Sequence, residues 1–502
     1  MTTTEVSVIS SAQPQAGSRP PEARPKATNS LVAVLALAGI VVSLMQTIMI
    51  PLVPELPRLL HASASDATWA ITATLLAGAV ATPVMGRLGD MYGKRRMLLV
   101  SLLLLVAGSV VAALSDGPAP MVAGRTLQGL AAGVIPLGIS IMRDELPAER
   151  LGSAIALMGA SLGIGGALGL PAAAFLAERV DWHVLFWVSG GMGALATAFV
   201  LVLVPESAVR SGGRFDLVGA LGLSAALVCL LLAISKGATW GWGSARTLGL
   251  IGASVVVLGL WGRWELRTRE PLVDLRTTVR RQVLLTNIAS AVFGFAMFAM
   301  SLVLPQVLQL PESTGYGLGA SLLTVGLVMG PSGLVMMAVA PLSARISRTR
   351  GPKVTLMTGA VVVAAGYLLS IVLMSAIWQL VLVSAVTGAG IGLAYGAMPA
   401  LIMAAVPVSE TAAANSFNTL TRAIGTSAAS AVAGVVLAQM TTGFGPLTVP
   451  SQNGFRTVMA IGAGAALMAF VIAFFLPGRG AAAQARDRPA PEAAPTPEPA
   501  GS

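Results

Sequence analysis

Asp90 and the bases Lys94, Arg95 and Arg96 stand together in the run GRLGDMYGKRRML, from Gly86 to Leu98. One acid and three consecutive bases are thus coupled to a glycine-rich turn where two membrane helices must meet. Within the run, Gly86 allows two helices to approach closely and Gly93 permits the positive φ of a tight turn. A second charge, Arg125, falls inside an apolar stretch with Gln128 three residues later on the same helix face. An arginine at such depth costs at least ~2.5 kcal/mol on insertion scales, so it marks a functional position facing a bundle interior or a wet cavity. The competing reading is structural, an arginine near the end of its span that caps backbone carbonyls. Of the 21 acids none is expected in mid-span, and the nearest to buried proton carriers are Glu55, just past the first apolar run, and Asp90. Glu55 reads more readily as a solvated end residue. His61, His183 and Cys229 complete the titratable inventory of their types and form no metal set, redox pair or nucleophile with its base. No metal, no cofactor and no enzymatic reaction are expected.

The elements that hold these residues are membrane helices. Hydrophobic residues make up 55% of the 502-residue chain and charged ones 10%, with a mean hydropathy of +0.82, far from the composition of a soluble domain. Apolar runs of about 20 residues, the length that crosses a bilayer as helix, are expected near 31–54, 67–88, 97–115, 119–142, 151–177, 182–204, 216–235, 246–264, 283–308, 317–341, 353–374, 378–404, 412–439 and 455–476. Fourteen spans put both tails on one side. Of the 31 bases, 24 fall in the tails and alternate loops and five in the opposite loops, while Arg125 and Arg422 lie within spans. By the positive-inside rule both termini are cytoplasmic, in the inner membrane of a bacterium. Trp69, Trp182, Trp187, Trp240, Trp242 and Trp378 fall near outer span ends, with Trp261 and Trp264 at an inner one, as an aromatic belt requires. The net charge of +10 is thus explained by the membrane, and nucleic acid is not an expected partner.

Polar segments before the seventh span and after the eighth set two helices apart from six on either side. The expected divisions are a disordered tail over 1–30, a six-helix bundle over 31–204, a two-helix insert with basic loops over 205–282, a second six-helix bundle over 283–476 and a disordered tail over 477–502.

Gly86, Leu88, Asp90, Gly93, Lys94, Arg95 and Leu98 fit the pattern G-x-L-(A/G)-D-x-x-G-(K/R)-(K/R)-x-x-L. That pattern resembles the loop after the second helix of major facilitator superfamily transporters, and the 6 + 2 + 6 plan resembles their fourteen-span drug:proton antiporters. GRTLQGLAAG, with Arg125, Gln128 and Gly129, resembles the family's R-x-x-Q-G pattern, which implies a part in proton coupling. GASLGIGGALGLPAAA resembles its antiporter-type glycine-rich helix through Gly165, Gly169 and Pro171, although Pro171 sits one residue late. A generic helix packed by small residues accounts for the same stretch. The resemblance implies an all-α polytopic fold of two six-helix bundles, each built from inverted repeats, plus the insert. It also implies that Asp90, Gly86, Gly93 and Lys94 to Arg96 form a gating loop, with the bases anchored on headgroups. The second-half copy, PLSARISRTRGPKV, keeps Gly351 and the bases but has no acid. The first span departs from the family: where L-D-x-T-I-V-N is usual, LMQTIMI places Met45 at the aspartate and Ile50 at the asparagine.

Export of small hydrophobic compounds by alternating access, with proton antiport implied by the family, is the expected function. A proton-independent facilitator or an uptake carrier of the same fold is the alternative, and outside transport a membrane-embedded sensor, scaffold or lipid-modifying enzyme. No phosphate-binding G-x-x-x-x-G-K-[ST] loop occurs to drive transport with ATP. A cavity without carboxylates favours neutral or weakly acidic amphiphiles, held by Gln46, Thr47, Gln128, Asn287, Tyr395, Asn415, Asn418 and Arg422. The expected partners are this substrate, protons and the lipid bilayer, and the protein is expected to act as a monomer.

Overall fold

A long apolar segment in hydrocarbon must satisfy its own backbone, and the helix does so within one segment. In the computed structural model, which describes residues 25–47, 49, 52, 56–67, 69–207, 209–444 and 447–477, fourteen helices are long and apolar enough to cross a membrane. They are α1 (Pro25–Thr47), α2 (Trp69–Tyr92), α3 (Lys94–Ala113), α4 (Pro118–Glu145), α5 (Ala148–Arg179), α6 (His183–Leu203), α7 (Leu217–Trp240), α8 (Ala245–Glu265), α9 (Arg281–Gln309), α10 (Leu322–Thr349), α11 (Pro352–Val372), α12 (Ile377–Met403), α13 (Thr411–Gln439) and α14 (Gln452–Phe474). Helix α4 is interrupted by a tighter turn over Leu130–Gly133, where LAAG offers no bulky side chain.

Helices α1 to α6 pack as one bundle around Leu35, Leu102, Val134, Met142 and Val200. Helices α9 to α14 form the other around Phe293, Tyr367, Met398 and Phe455. Tyr367 is fully buried, and its hydroxyl donates to the Ala296 carbonyl and accepts from the Met300 N–H at 3.0 Å, so its polar end is satisfied on α9. Between the bundles in sequence, α7 and α8 pair with each other and stand to one side. Leu223, Leu227 and Leu231 of α7 pack with Ala79 of α2 and Leu420 of α13, so the insert covers one seam between the bundles. Asp216 caps α7 by accepting the Gly219 N–H at 2.8 Å, and the Trp264 indole of α8 donates to the same carboxylate at 3.1 Å.

Even crossings place the start of α1, the end of α14, the α2–α3 turn and the connections over 204–216 and 266–280 on one side, here termed the basic side. Three features differ from the sequence expectation. The stretch Gly86–Leu98 is not a loop: helix α2 continues to Tyr92, Gly93 alone makes the turn at φ +117°, and α3 begins at Lys94. Between α13 and α14, strands β1 (Thr441–Phe444) and β2 (Leu447–Pro450) pair as an antiparallel hairpin, a small β element in an otherwise helical chain. The first span is expected over 31–54 after a disordered tail over 1–30, whereas α1 runs from Pro25 to Thr47, because the apolar run is extended backwards by helix through residues 25–30; residues 1–24 and Glu55 lie outside the described residues.

Candidate functional site

Helix α13 begins without a cap of its own, since Glu410 at its N-cap position makes no side-chain bond to the first turn. The cap comes from the other bundle. Asp90, on the last turn of α2, accepts the Ala412 N–H at 3.2 Å on Oδ1 and the Ala413 N–H at 2.8 Å on Oδ2. These are orphan donors at the positive end of a helix dipole, where a carboxylate is favoured. Close approach is possible because Gly86 faces the same turn: a Cβ there would lie 2.6 Å from Ser416 Cβ and 2.8 Å from the Ala412 carbonyl.

Behind Asp90, Lys94 is fully buried; its Nζ lies 3.8 Å from Asp90 Oδ1 and donates to Asp144 Oδ2 at 2.7 Å. This corrects the expectation that Lys94 anchors on headgroups: the one-residue turn at Gly93 leaves it pointing into the bundle. Arg95 donates to the Leu201 carbonyl at 2.5 Å, and Arg96 Nε lies 3.6 Å from Glu206 on the exposed surface. Arg143, at the end of α4, adds a second bridge by donating to Thr411 Oγ1 at 2.6 Å and to the Val406 carbonyl at 3.1 Å. Arg143 and Asp144 had no place in the sequence reading beyond positive-inside arithmetic. Their signal was a RDE cluster ending a span on the same side as Asp90.

Arg125 is buried in the first bundle and meets no carboxylate among the described residues. Its Nη1 donates to Gln128 Oε1 at 2.7 Å and to the Met45 carbonyl at 3.2 Å, and its Nε to the Ala70 carbonyl at 3.3 Å. Gln128 in turn donates to Ser109 Oγ at 2.8 Å. Arg125 thus ties α1, α2 and α4 together, and it does so at Met45, the residue that stands where the family pattern has an aspartate.

A crevice between the bundles is lined by Ile135, Ile139, Gly159, Leu162, Tyr395, Pro399, Asn415, Asn418, Thr419 and Arg422. The Arg422 guanidinium lies 4.5 Å from the centre of the Tyr395 ring, and no lining residue is acidic. The crevice encloses about 10 Å³, barely the space of one water, so it must widen to admit a solute. Of the cavity candidates, Tyr395, Asn415, Asn418 and Arg422 meet there. Gln128 is committed to Arg125. Thr47 donates to the Gly165 carbonyl at 3.3 Å within the first bundle, and Gln46 is exposed on the last turn of α1. Asn287 lines a separate cavity at the basic side and touches the crevice only through Asn418, whose Nδ2 donates to Asn287 Oδ1 at 2.9 Å.

The glycine-rich helix α5 presents two small faces. Gly165 and Gly169 receive Ser43 and Thr47 of α1 inside the bundle. Pro171 faces the other bundle, where a Cβ on Gly326 of α10 would lie 2.9 Å from Pro171 Cγ. A Cβ on Gly163 would lie 3.0 Å from Gly333 Cα of α10, a crossing that the sequence reading did not single out.

A family model described as Major Facilitator Superfamily matches residues 35–430 and 316–500. An uncharacterized MFS-type transporter of Mycobacterium tuberculosis is 28% identical over 424 residues, covering 82% of this chain and 60% of that protein, so the chain spans less than two thirds of that relative's length. A Streptomyces coelicolor protein named "Probable actinorhodin transporter" is 29% identical over 405 residues, 78% of this chain and 69% of the relative. Among solved structures, the human organic anion transporter MFSD10 shares the fold, with a TM-score of 0.63 at 15% identity over 91% of this chain and 100% of that one. Two six-helix bundles with a helix pair beside them, one bundle capping a helix of the other, and a family match along most of the length have one explanation: the chain belongs to the Major Facilitator Superfamily of membrane transporters.

Proposed function

We propose that this multi-pass transporter exports neutral or weakly acidic amphiphiles from the cytoplasm, by alternating access coupled to proton antiport. The observation that carries the reading is the cap that Asp90 of α2 places on α13 of the opposite bundle. A carboxylate that bonds in one arrangement of the bundles and loses those bonds in the other gives the two states different energies, which is what a rocker switch requires. Charge-assisted hydrogen bonds of this kind contribute ~1.5–3 kcal/mol each, enough for protonation or displacement of Asp90 to reset the balance. The basic side is then cytoplasmic, both tails lie there, and the membrane is the inner membrane of a bacterium. The domain plan is two six-helix bundles over 31–204 and 283–476 with the insert over 205–282, and the protein works as a monomer. The substrate class follows from the crevice, where Arg422, Tyr395, Asn415 and Asn418 offer hydrogen bonds and positive charge but no carboxylate for a lipophilic cation. The name of a Streptomyces glaucescens relative, "Tetracenomycin C resistance and export protein", 33% identical over 49% of this chain, supports the direction of export.

A proton-independent facilitator is the second reading, favoured by Met45 beside Arg125 in place of an acid. Both readings are tested by flux into liposomes under an imposed pH gradient, with a lipophilic dication, a neutral and an anionic amphiphile of similar size. Flux of the neutral and anionic compounds is expected to follow the gradient. Flux that ignores it leaves the facilitator reading standing, and transport of the dication alone overturns the substrate class. Arg125→Ala leaves the Met45 and Ala70 carbonyls and Gln128 without their donor, at ~1–3 kcal/mol for each buried group, and is expected to lower coupled flux at least about tenfold. Full coupled flux in that variant would leave Arg125 a purely structural role.

A further inference from the structure

A second, larger cavity opens at the basic side between the 266–280 connection, α2, α9 and the start of α13, with a volume of about 260 Å³. Its lining is mixed: Leu272, Val283, Val406 and Phe417 supply apolar surface, and Arg87, Ser211, Asn287 and several acids supply polar groups. Five side-chain atoms of the lining are buried and find no hydrogen-bond partner: Arg87 Nε, Asn287 Nδ2, Ser211 Oγ and both carboxylate oxygens of Glu265. Asn287 is 4% exposed. Nature rarely leaves such groups unmet, because each costs ~1–3 kcal/mol. Of the four acids that line the cavity, Glu265, Glu270, Asp274 and Glu410, two bond to neighbouring groups. Asp274 accepts from the Arg276 N–H and Thr277 Oγ1, and Glu270 accepts the Arg214 N–H. Glu265 sits at the back beside the Trp261 indole and the Asp216 carboxylate. Arg87 Nε and Asn287 Nδ2 thus remain as two unmet donors in a lining that also carries apolar surface.

The cavity also adjoins both parts of the transport machinery. Asn287 accepts from Asn418 of the central crevice at 2.9 Å, so one amide pair forms the partition between the two spaces. Ala413, whose N–H caps on Asp90, forms part of the cavity wall. We propose that this cavity is a loading vestibule. It binds a compact neutral or weakly acidic amphiphile by its acceptor oxygen, on Arg87 and Asn287, before the solute passes the Asn287–Asn418 partition into the crevice. At 260 Å³ it is smaller than the ~300 Å³ at which drug-sized pockets begin, so a fragment or one end of a longer molecule fits. The proposal rests on the reading of the chain as a carrier of such amphiphiles.

The test uses the full chain in lipid nanodiscs and three probes with one ring system: naphthalene-2-carboxylate, 2-acetylnaphthalene and 2-naphthylmethylammonium. Binding is followed by probe fluorescence and flux by liposome assay. Asn287→Asp keeps Oδ1 for Asn418 while turning the free donor into an acceptor, and Arg87→Lys keeps the charge while removing Nε. Each is expected to weaken binding of the carboxylate and the ketone about tenfold, as loss of one buried hydrogen bond implies, with the ammonium compound weakest in the unaltered protein. Tightest binding by the ammonium compound, or unchanged affinity in both variants, overturns the vestibule. A photoreactive diazirine derivative of the carboxylate gives a measurement that needs no variant. Labelling within 268–278 or at Phe417 supports the site, and labelling confined to Tyr395 and Pro399 overturns it. Binding that obeys this pattern without any flux would sink the carrier reading and leave the site, whereas flux with unchanged binding in both variants would do the reverse.

Discussion

Two of the seams between the bundles are built from opposite materials. At the α2–α13 seam, Asp90 caps a helix N-terminus, with Lys94, Asp144 and Arg143 close behind. At the α5–α10 seam, Ala156 and Ala160 meet Ala340 and Ala344, and Gly163 crosses Gly333. The repeats that supply them share their turns: Gly93 at φ +117° follows α2, and Gly351 at φ +96° follows α10, both outside the range that other residues readily adopt. Three residues before those glycines the first repeat has Asp90 and the second Arg348. Under the proposed alternating access, the difference gives one fold geometry two energetic roles. An apolar seam of small side chains keeps similar contacts over a range of tilts and suits a pivot. A seam of directed, charge-assisted bonds exists in one geometry only and suits a latch.

The severest way to break that contrast is to pack the latch open. In Gly86→Val the new side chain meets Ser416 Cβ and the Ala412 carbonyl at distances that cannot be held. Overpacking against backbone costs on the order of 3 kcal/mol, which displaces the equilibrium about a hundredfold toward the state open at the basic side. The measurement is reaction of a cysteine at Ser416, introduced as Ser416→Cys in a Cys229→Ser background, with a membrane-impermeant maleimide. Ser416 is fully buried, so slow labelling is expected in the parent and roughly hundredfold faster labelling in the variant, with loss of flux. Parent-like labelling would mean that this seam does not close the transporter.

The same region shows how far the sequence reaches. The glycine, acid and bases of Gly86–Leu98 were legible because their types and spacing are local, and so was the run of fourteen spans. The partner of Asp90 was not, since backbone N–H groups of Ala412 and Ala413 carry no side-chain signature and lie more than 300 residues away. The burial of Lys94 was hidden for a related reason: a cluster of bases looks solvated until the turn is known to take one residue. In the crevice, Tyr395, Asn415, Asn418 and Arg422 were found as polar residues in apolar spans, whereas Gln128 and Thr47, chosen by the same criterion, satisfy neighbours inside one bundle. Polarity in a span signals a partner, and only packing tells whether that partner is solute or protein.

A smaller perturbation removes the charge and keeps the shape. In Asp90→Asn the amide can still offer one oxygen to Ala413, but its NH2 group faces either the Ala412 N–H or Lys94, and the attraction of a carboxylate for the end of α13 is gone. A loss of ~1.5 kcal/mol, the lower end for a bond to a charged group, predicts about tenfold faster labelling at the Ser416→Cys position. Equal labelling in Asp90→Asn and the parent would show that shape alone holds the latch, and the two seams would then differ in composition but not in kind.

The least effect is expected from the corresponding change at the other seam. Ala344→Ser adds a hydroxyl of nearly the same volume, which can bond a carbonyl one turn back on α10 and so brings little desolvation cost. Ala344 is 6% exposed and clusters with Ala156, Ala160 and Ala340, and a methyl side chain makes no directed bond that could be lost. Flux and labelling are expected to stay within about twofold of the parent, inside the ±0.5 kcal/mol typical of substitutions that disturb no special feature. If Ala344→Ser instead matched Asp90→Asn in labelling, the α5–α10 seam would share the state-dependent energy. The division into pivot and latch would fail, because a pivot by definition contributes equally to both states and cannot be tuned by a hydroxyl.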